Sequence, residues 1–101
     1  MKAEQVEKAA AVLNALDNPI RRQMVDILIK NDTRPSILRK QIKMSRARID
    51  YHIGFLFKTK VVYRRKGRGT EQKGGGQISF YCINQQQMRR IEKAVEWLTK
   101  E

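Results

Sequence analysis

The sequence predicts a mainly α chain with one small β-hairpin, an α+β fold in a single domain over residues 1–101. Three observations predict it. Apolar residues recur at helical spacing near both ends of the chain. Two short helical segments meet across a tight turn whose last residue is a serine. Two β-branched and aromatic segments flank a stretch with five glycines between Gly67 and Gly76. A chain of 101 residues is one domain on length alone, and a single core of that size gives limited stability, so a partner is plausible.

Residues 2–16, KAEQVEKAAAVLNAL, read as the first helix, with Val6, Ala9 or Ala10, Leu13 and Leu16 at helical spacing. Asp17-Asn18-Pro19 stops it and starts the next: Asn18 is a good N-cap, and Pro19 suits the first helical position, where its missing N–H costs nothing. The second helix runs to about Lys30 with Ile20, Met24, Ile27 and Leu28 inward, and Asn31-Asp32-Thr33 ends it. Pro35 opens a short helix through about Ile42, with Leu38 and Ile42 one turn apart. Ser45 caps a fourth helix, about 46–59, so residues 35–59 form a helix-turn-helix candidate. Val61-Val62-Tyr63 reads as a strand running into Arg64-Arg65-Lys66, and Ile78–Ile83 as its partner, a hairpin over 61–83 with a basic, glycine-rich tip. Asn84 caps the last helix, to about Lys100, with Met88, Ile91, Val95 and Leu98 on one stripe.

Charge is segregated along the chain. The net charge is +12, and residues 34–73 carry thirteen Lys or Arg against two acids, Asp50 and Glu71, a local charge of +11. A uniformly basic surface would not divide in this way, whereas a face built for a polyanion would. One cysteine, Cys82, excludes an internal disulfide framework, and with the single histidine, His52, it cannot build a four-ligand zinc site in one chain. No apolar run approaches the length of a membrane span and the N-terminus lacks a signal-peptide apolar region. The expectation is an intracellular, cytoplasmic and nucleoid-associated protein with no membrane partner, no cofactor and no metal. Catalysis is not expected either. Gly69 to Gly74 has phosphate-loop spacing, yet Gly75-Gly76 stands where Lys and Ser or Thr are needed, and Asp50 and His52 lie roughly 160° apart on a helix.

LDNPIRRQMVDIL (16–28) resembles the second helix of ArsR-type winged helix-turn-helix regulators, and MSRARIDYHIGFLFKTKVVYRRKGR (44–68) resembles their recognition helix, following strand and wing. The correspondence covers roughly residues 12–83. It implies a winged helix-turn-helix fold, usually homodimeric, that binds duplex DNA as a transcriptional regulator. Three departures stand out. The family often has Ala-Gly before the strand, where this chain has Thr59-Lys60. The wing, about Lys66 to Gln77, is longer than the usual compact turn. The segments that carry metal ligands in the sensing members read SILRKQIKM and QQQMRRIEKAVEWLTKE here, without cysteine or histidine, so metal sensing is not implied.

On a helical wheel with Ile49 at zero, Ile53, Leu56 and His52 fall within about 60°, whereas Ala47, Tyr51 and Lys58 fall near the opposite side. The major groove admits a helix, and arginine pairs bidentately with guanine. Arg48 is therefore the expected base reader, with Tyr51 on phosphate or a base edge. Arg46 belongs to the expected DNA face too, although it lies one turn from Asp50, close enough to be partly engaged in an ion pair. Arg39, Lys40 and Lys43 on the preceding helix, and Ser45, Ala47, Lys58 and Arg64, complete the expected DNA face. Lys66, Arg68 and Lys73 in the wing suit phosphate or minor-groove contact, the plainer reading being a flexible, solubilising tip. Gly54, mid-helix, either permits close approach of DNA or relieves crowding between Phe55 and Phe57. His52 reads as a semi-buried core histidine, and Cys82 as a packed strand residue or, alternatively, a redox sensor or intersubunit disulfide.

The terminal helices, 1–16 and 84–101, carry more apolar surface than one small domain needs. A homodimer through Val6, Leu13, Leu16, Met88, Ile91, Val95 and Leu98 is expected, packing within the chain being the alternative. The sequence thus predicts a homodimeric double-stranded DNA-binding protein, a transcriptional regulator of repressor type. An architectural DNA-binding protein and an RNA-binding or assembly winged helix are the alternatives.

Overall fold

The computed structural model describes residues 2–68 and 77–100, less the side chains of Arg68, Gln77 and Leu98. Seven elements follow in the predicted order: α1 (Ala3–Leu16), α2 (Pro19–Lys30), α3 (Pro35–Ile42), α4 (Arg46–Lys58), β1 (Val62–Arg68), β2 (Gln77–Ile83) and α5 (Gln85–Thr99). The three caps read from sequence are made. The Asn18 side chain accepts from the amides of Ile20 and Arg21 at 2.9 and 3.2 Å, Ser45 Oγ from Arg48 at 3.3 Å, and Asn84 from Gln87 at 3.1 Å.

The core is one cluster in which the helix-turn-helix supplies Leu38, Ile42, Ile49, Ile53 and Leu56. Met24, Val25 and Leu28 of α2, Val12 of α1, Ile91 of α5, and Val61, Val62, Tyr81 and Ile83 of the hairpin segment close around them. The inward faces of α3 and α4 are those the sequence predicts. On α1 the buried stripe is Ala9, Val12 and Ala15 instead, with Leu13 left exposed and Val6 and Leu16 half-buried. Two alanines on the inner face present little bulk towards the rest of the chain, which leaves the larger Leu13 outside. Val25, unremarked in the sequence, is buried on α2 as well.

The hairpin is longer than its β-formers indicated. Pairing runs from Val62↔Ile83 to Arg68↔Gln77, so β1 continues past Lys66 to Arg68. Cross-strand hydrogen bonds hold Arg64 to Arg68 extended although their side chains carry no strand signal. Alternation sends Val62, Tyr81 and Ile83 into the core, while Arg65 stands on the other face beside its partner Phe80, 4.5 Å above the ring. A Cβ on Gly67 would lie 2.9 Å from Arg65 Nη1 and 3.1 Å from Phe80 Cε2, so glycine leaves room for that stack. Asp32 accepts from Arg65 at 3.0 Å. Thr33, read from sequence only as a helix stop, exchanges both backbone hydrogen bonds with Tyr81, at 3.1 and 2.8 Å, a one-residue third strand that ties α2 to the sheet.

Two lysines hold the left-handed conformation in which glycine is usual: Lys43, after α3, with φ 59°, and Lys60, after α4, with φ 61°. The expected closure without glycine at Thr59-Lys60 is thus achieved with Lys60 in that conformation. The amides of Lys60 and Val61 donate back to Phe57 and Leu56, both at 3.0 Å, and the Thr59 hydroxyl to Phe55 at 2.9 Å. Among the described residues, no helix is long and apolar enough to cross a membrane.

Candidate nucleic-acid interface

α4 divides as its wheel predicts. Ile49, His52, Ile53 and Leu56 are buried, and Arg46, Ala47, Arg48, Tyr51 and Lys58 are exposed. Tyr51, 63% exposed, is not loose. Its ring stands edge-on to Phe55 and to His52, both at 5.2 Å between centroids, so the hydroxyl is presented outward from a braced ring. Arg46 Nε lies 3.7 Å from Asp50 Oδ2, the i,i+4 pair expected, which leaves Arg48 as the arginine without an ion-pair partner among the described residues of α4.

The helix is held from behind by Arg21. Its Nε donates to the Ala15 carbonyl at the end of α1, Nη1 lies 3.5 Å from His52 Nδ1, and the guanidinium sits 4.3 Å over the Phe55 ring. A donating guanidinium makes Nδ1 the acceptor and places the neutral ring's proton on Nε2. Burial first, then the charges of Arg21 and Arg48, hold the His52 pKa below its ordinary value of 6.5. The unfolded chain therefore takes up a proton as pH falls through about 6.5 while the folded chain does not, and stability is lost in that window until the folded value is passed. Urea unfolding from pH 8 to 5 should show this loss, and His52→Gln should remove part of it. Parallel profiles for the two proteins would contradict a neutral, buried His52.

Gly54 has open space around it: an added Cβ meets no atom within 4 Å. Crowding inside the chain therefore does not account for the glycine. Gly54→Ala is expected to raise stability by about 1 kcal/mol through helix propensity, read as a higher urea midpoint. A lower midpoint would mean that this backbone is packed against something, such as a second copy of the chain.

The remaining predicted contacts spread over three elements. On α3, Arg39 is half-buried and Lys40 exposed, followed by exposed Lys43. Ser45 is exposed, with its hydroxyl engaged as the α4 cap. On β1, Arg64 and Lys66 are exposed. Arg64 lies 5.4 and 5.6 Å from the rings of Phe57 and Tyr81, which braces its guanidinium. Arg68 has its backbone in the hairpin, and Lys73 lies outside the described residues. The sequence reading missed Arg34, at the N-cap of α3. It lines a groove of about 550 Å³ together with Arg39, Arg46, Asp50 and Arg64. The signal available for it was its place in the basic stretch, directly before Pro35.

Of the residues expected in a dimer contact, Ile91 is already buried within one chain. Val6, Leu16, Met88 and Val95 are half-buried, Leu13 is 37% exposed, and the Leu98 side chain lies outside the described residues. Trp97 of α5 is 48% exposed. Cys82 is buried, and burial pushes its thiol up, away from the thiolate that a reactive cysteine needs. No group of three or more His, Cys, Asp or Glu able to hold a metal occurs among the described residues.

No protein-family model and no curated protein matches the chain. Solved structures do. An ArsR-like transcriptional regulator from Rhodococcus sp. RHA1 superposes with a TM-score of 0.72 at 18% identity, covering 91% of this chain and 79% of that one. The homodimeric winged helix-turn-helix DNA-binding domain of Mb0332 from Mycobacterium bovis, a possible ArsR-family transcriptional regulator, gives 0.70 at 20% identity, covering 95% and 82%. NolR from Sinorhizobium fredii gives 0.66 at 24% identity, covering 95% and 88%. With this element order and these superpositions, the chain has a winged helix-turn-helix fold, in which α3 and α4 are the helix-turn-helix and the β1–β2 hairpin is the wing.

Proposed function

We propose that the protein is an ArsR-type regulator of transcription that binds double-stranded DNA as a homodimer and represses by occupying an operator. α4 reads the major groove through Arg48 and Tyr51, and the wing contacts the backbone or minor groove through Lys66, Arg68 and Lys73. The observation that carries this reading is the outer face of α4. It is basic, small and aromatic where a solvated helix would mix acids with bases, and it lies within the stretch that holds almost all of the chain's net charge. The similarity in fold to a homodimeric winged helix-turn-helix DNA-binding domain supports the same reading.

Self-association through α1 and α5 supplies the second recognition helix. Among the described residues, Leu13 and Trp97 are the large apolar side chains these helices leave exposed, with Val6, Met88 and Val95 half-covered. Two recognition helices about one DNA turn apart would read a pseudo-palindrome. Selection from a random duplex library at near-physiological salt tests the reading. An enriched palindrome with half-sites about 10 base pairs apart is expected. Tight binding without an enriched motif would instead favour an architectural DNA-binding role, which the charge segregation alone could serve.

A further inference from the structure

We propose that the groove between α3, α4 and the hairpin is the track of one DNA backbone strand, with Arg34 and Arg64 as its phosphate contacts. The proposal rests on the DNA-binding reading and adds to it a surface and a residue, Arg34, that the outer face of α4 does not include.

The ligand follows from duplex geometry. One phosphate backbone separates the major groove from the adjoining minor groove. A protein that puts a helix into the first and a hairpin into the second must straddle that strand, so the strand lies where helix and hairpin face each other. In this chain that place is an open groove of about 550 Å³. Its charged side chains are Arg34, Arg39, Arg46, Arg64 and Asp50, a local charge of +3. Asp50 is taken up by Arg46 at 3.7 Å, and neither Arg34 nor Arg64 has an ion-pair partner among the described residues.

The groove is also built to hold a charge in place. Phe57 and Tyr81 pack edge-to-face at 5.5 Å, and the Arg64 guanidinium lies 5.4 and 5.6 Å from their centroids. A planar cation braced by aromatic rings loses less freedom on meeting a phosphate than a lysine on a free stem. Arg65, next along the strand, faces the other side and is held by Asp32 and Phe80, so the hairpin commits one arginine to its own structure and one to the groove. Arg46, engaged with Asp50, lines the groove, which leaves base reading to Arg48.

Two measurements test this on the full chain with a duplex that the wild type binds. In the first, Arg34→Ala and Arg64→Ala should each reduce the slope of log affinity against log salt by about 0.9, the value of one phosphate contact, and weaken cognate and random duplexes by the same factor. Arg64→Lys should keep the slope. In the second, single phosphates are replaced by neutral methylphosphonates. One or two positions on the strand between the grooves should weaken the wild type, and the same replacements should have no further effect on the Arg34→Ala/Arg64→Ala protein. Unchanged slopes, or a wild type indifferent to every neutral phosphate on that strand, would overturn the groove assignment while leaving DNA binding intact. A wild type that binds no duplex would overturn both.

Discussion

Duplex affinity is expected to fall about 10³-fold or more between 50 and 200 mM salt, as for a protein that contacts six to ten phosphates. The cations are sufficient in number. Residues 34–73 hold thirteen Lys or Arg, and Arg34, Arg39, Lys40, Lys43, Lys58, Arg64 and Lys66 make no ion pair among the described residues. Cations that already meet carboxylates in the free protein would release few counterions from DNA, and here only Arg46 and Arg65 of the described cations in this stretch do so. Fluorescence anisotropy with a labelled duplex across a salt series measures the slope. A flat response would remove the polyanion reading altogether, since apolar or base-edge contacts alone carry little salt dependence.

The second large effect is on discrimination. Arg48→Ala is expected to cost about 1–3 kcal/mol against the cognate site and much less against random sequence, because a bidentate arginine–guanine pair is lost. Lys66→Ala, in the wing, should weaken all duplexes alike and lower the salt slope by about one contact. Arg48 is suited to the task because Arg46, two residues earlier, is engaged with Asp50 and faces the groove beside the wing. Competition binding with cognate and scrambled duplexes separates the two behaviours. If both substitutions act uniformly, α4 is not the reading element.

These expectations draw on different depths of information. The helices and their starts were legible because they depend on local chemistry. Asn18, Ser45 and Asn84 can satisfy free amides only at helix N-termini, and the inward faces of α3 and α4 follow from period alone. The far end of β1 was not legible, because Gly67 and Arg68 stay extended through pairing with Ile78 and Gln77, which lie beyond the wing tip in sequence. Thr33 is a similar case, paired with Tyr81 across 48 positions. On α1 the periodic pattern offered Leu13, but burial depends on what the helix packs against, and there Ala9 and Ala15 lie inward.

For the candidate site the division runs the same way. Composition and the wheel of α4 determined that the chain carries a basic, aromatic face of the kind that suits a polyanion, since charge segregation and helical period are properties of sequence alone. Which arginines are available was decided only in three dimensions. Arg65 and Arg64 are neighbours of identical chemistry, yet strand alternation hands the first to Asp32 and Phe80 and the second to the groove between α4 and the hairpin. Arg34 and Arg21 became legible in the same way, because a side chain's partner across a fold is set by packing of distant segments, which no local pattern encodes.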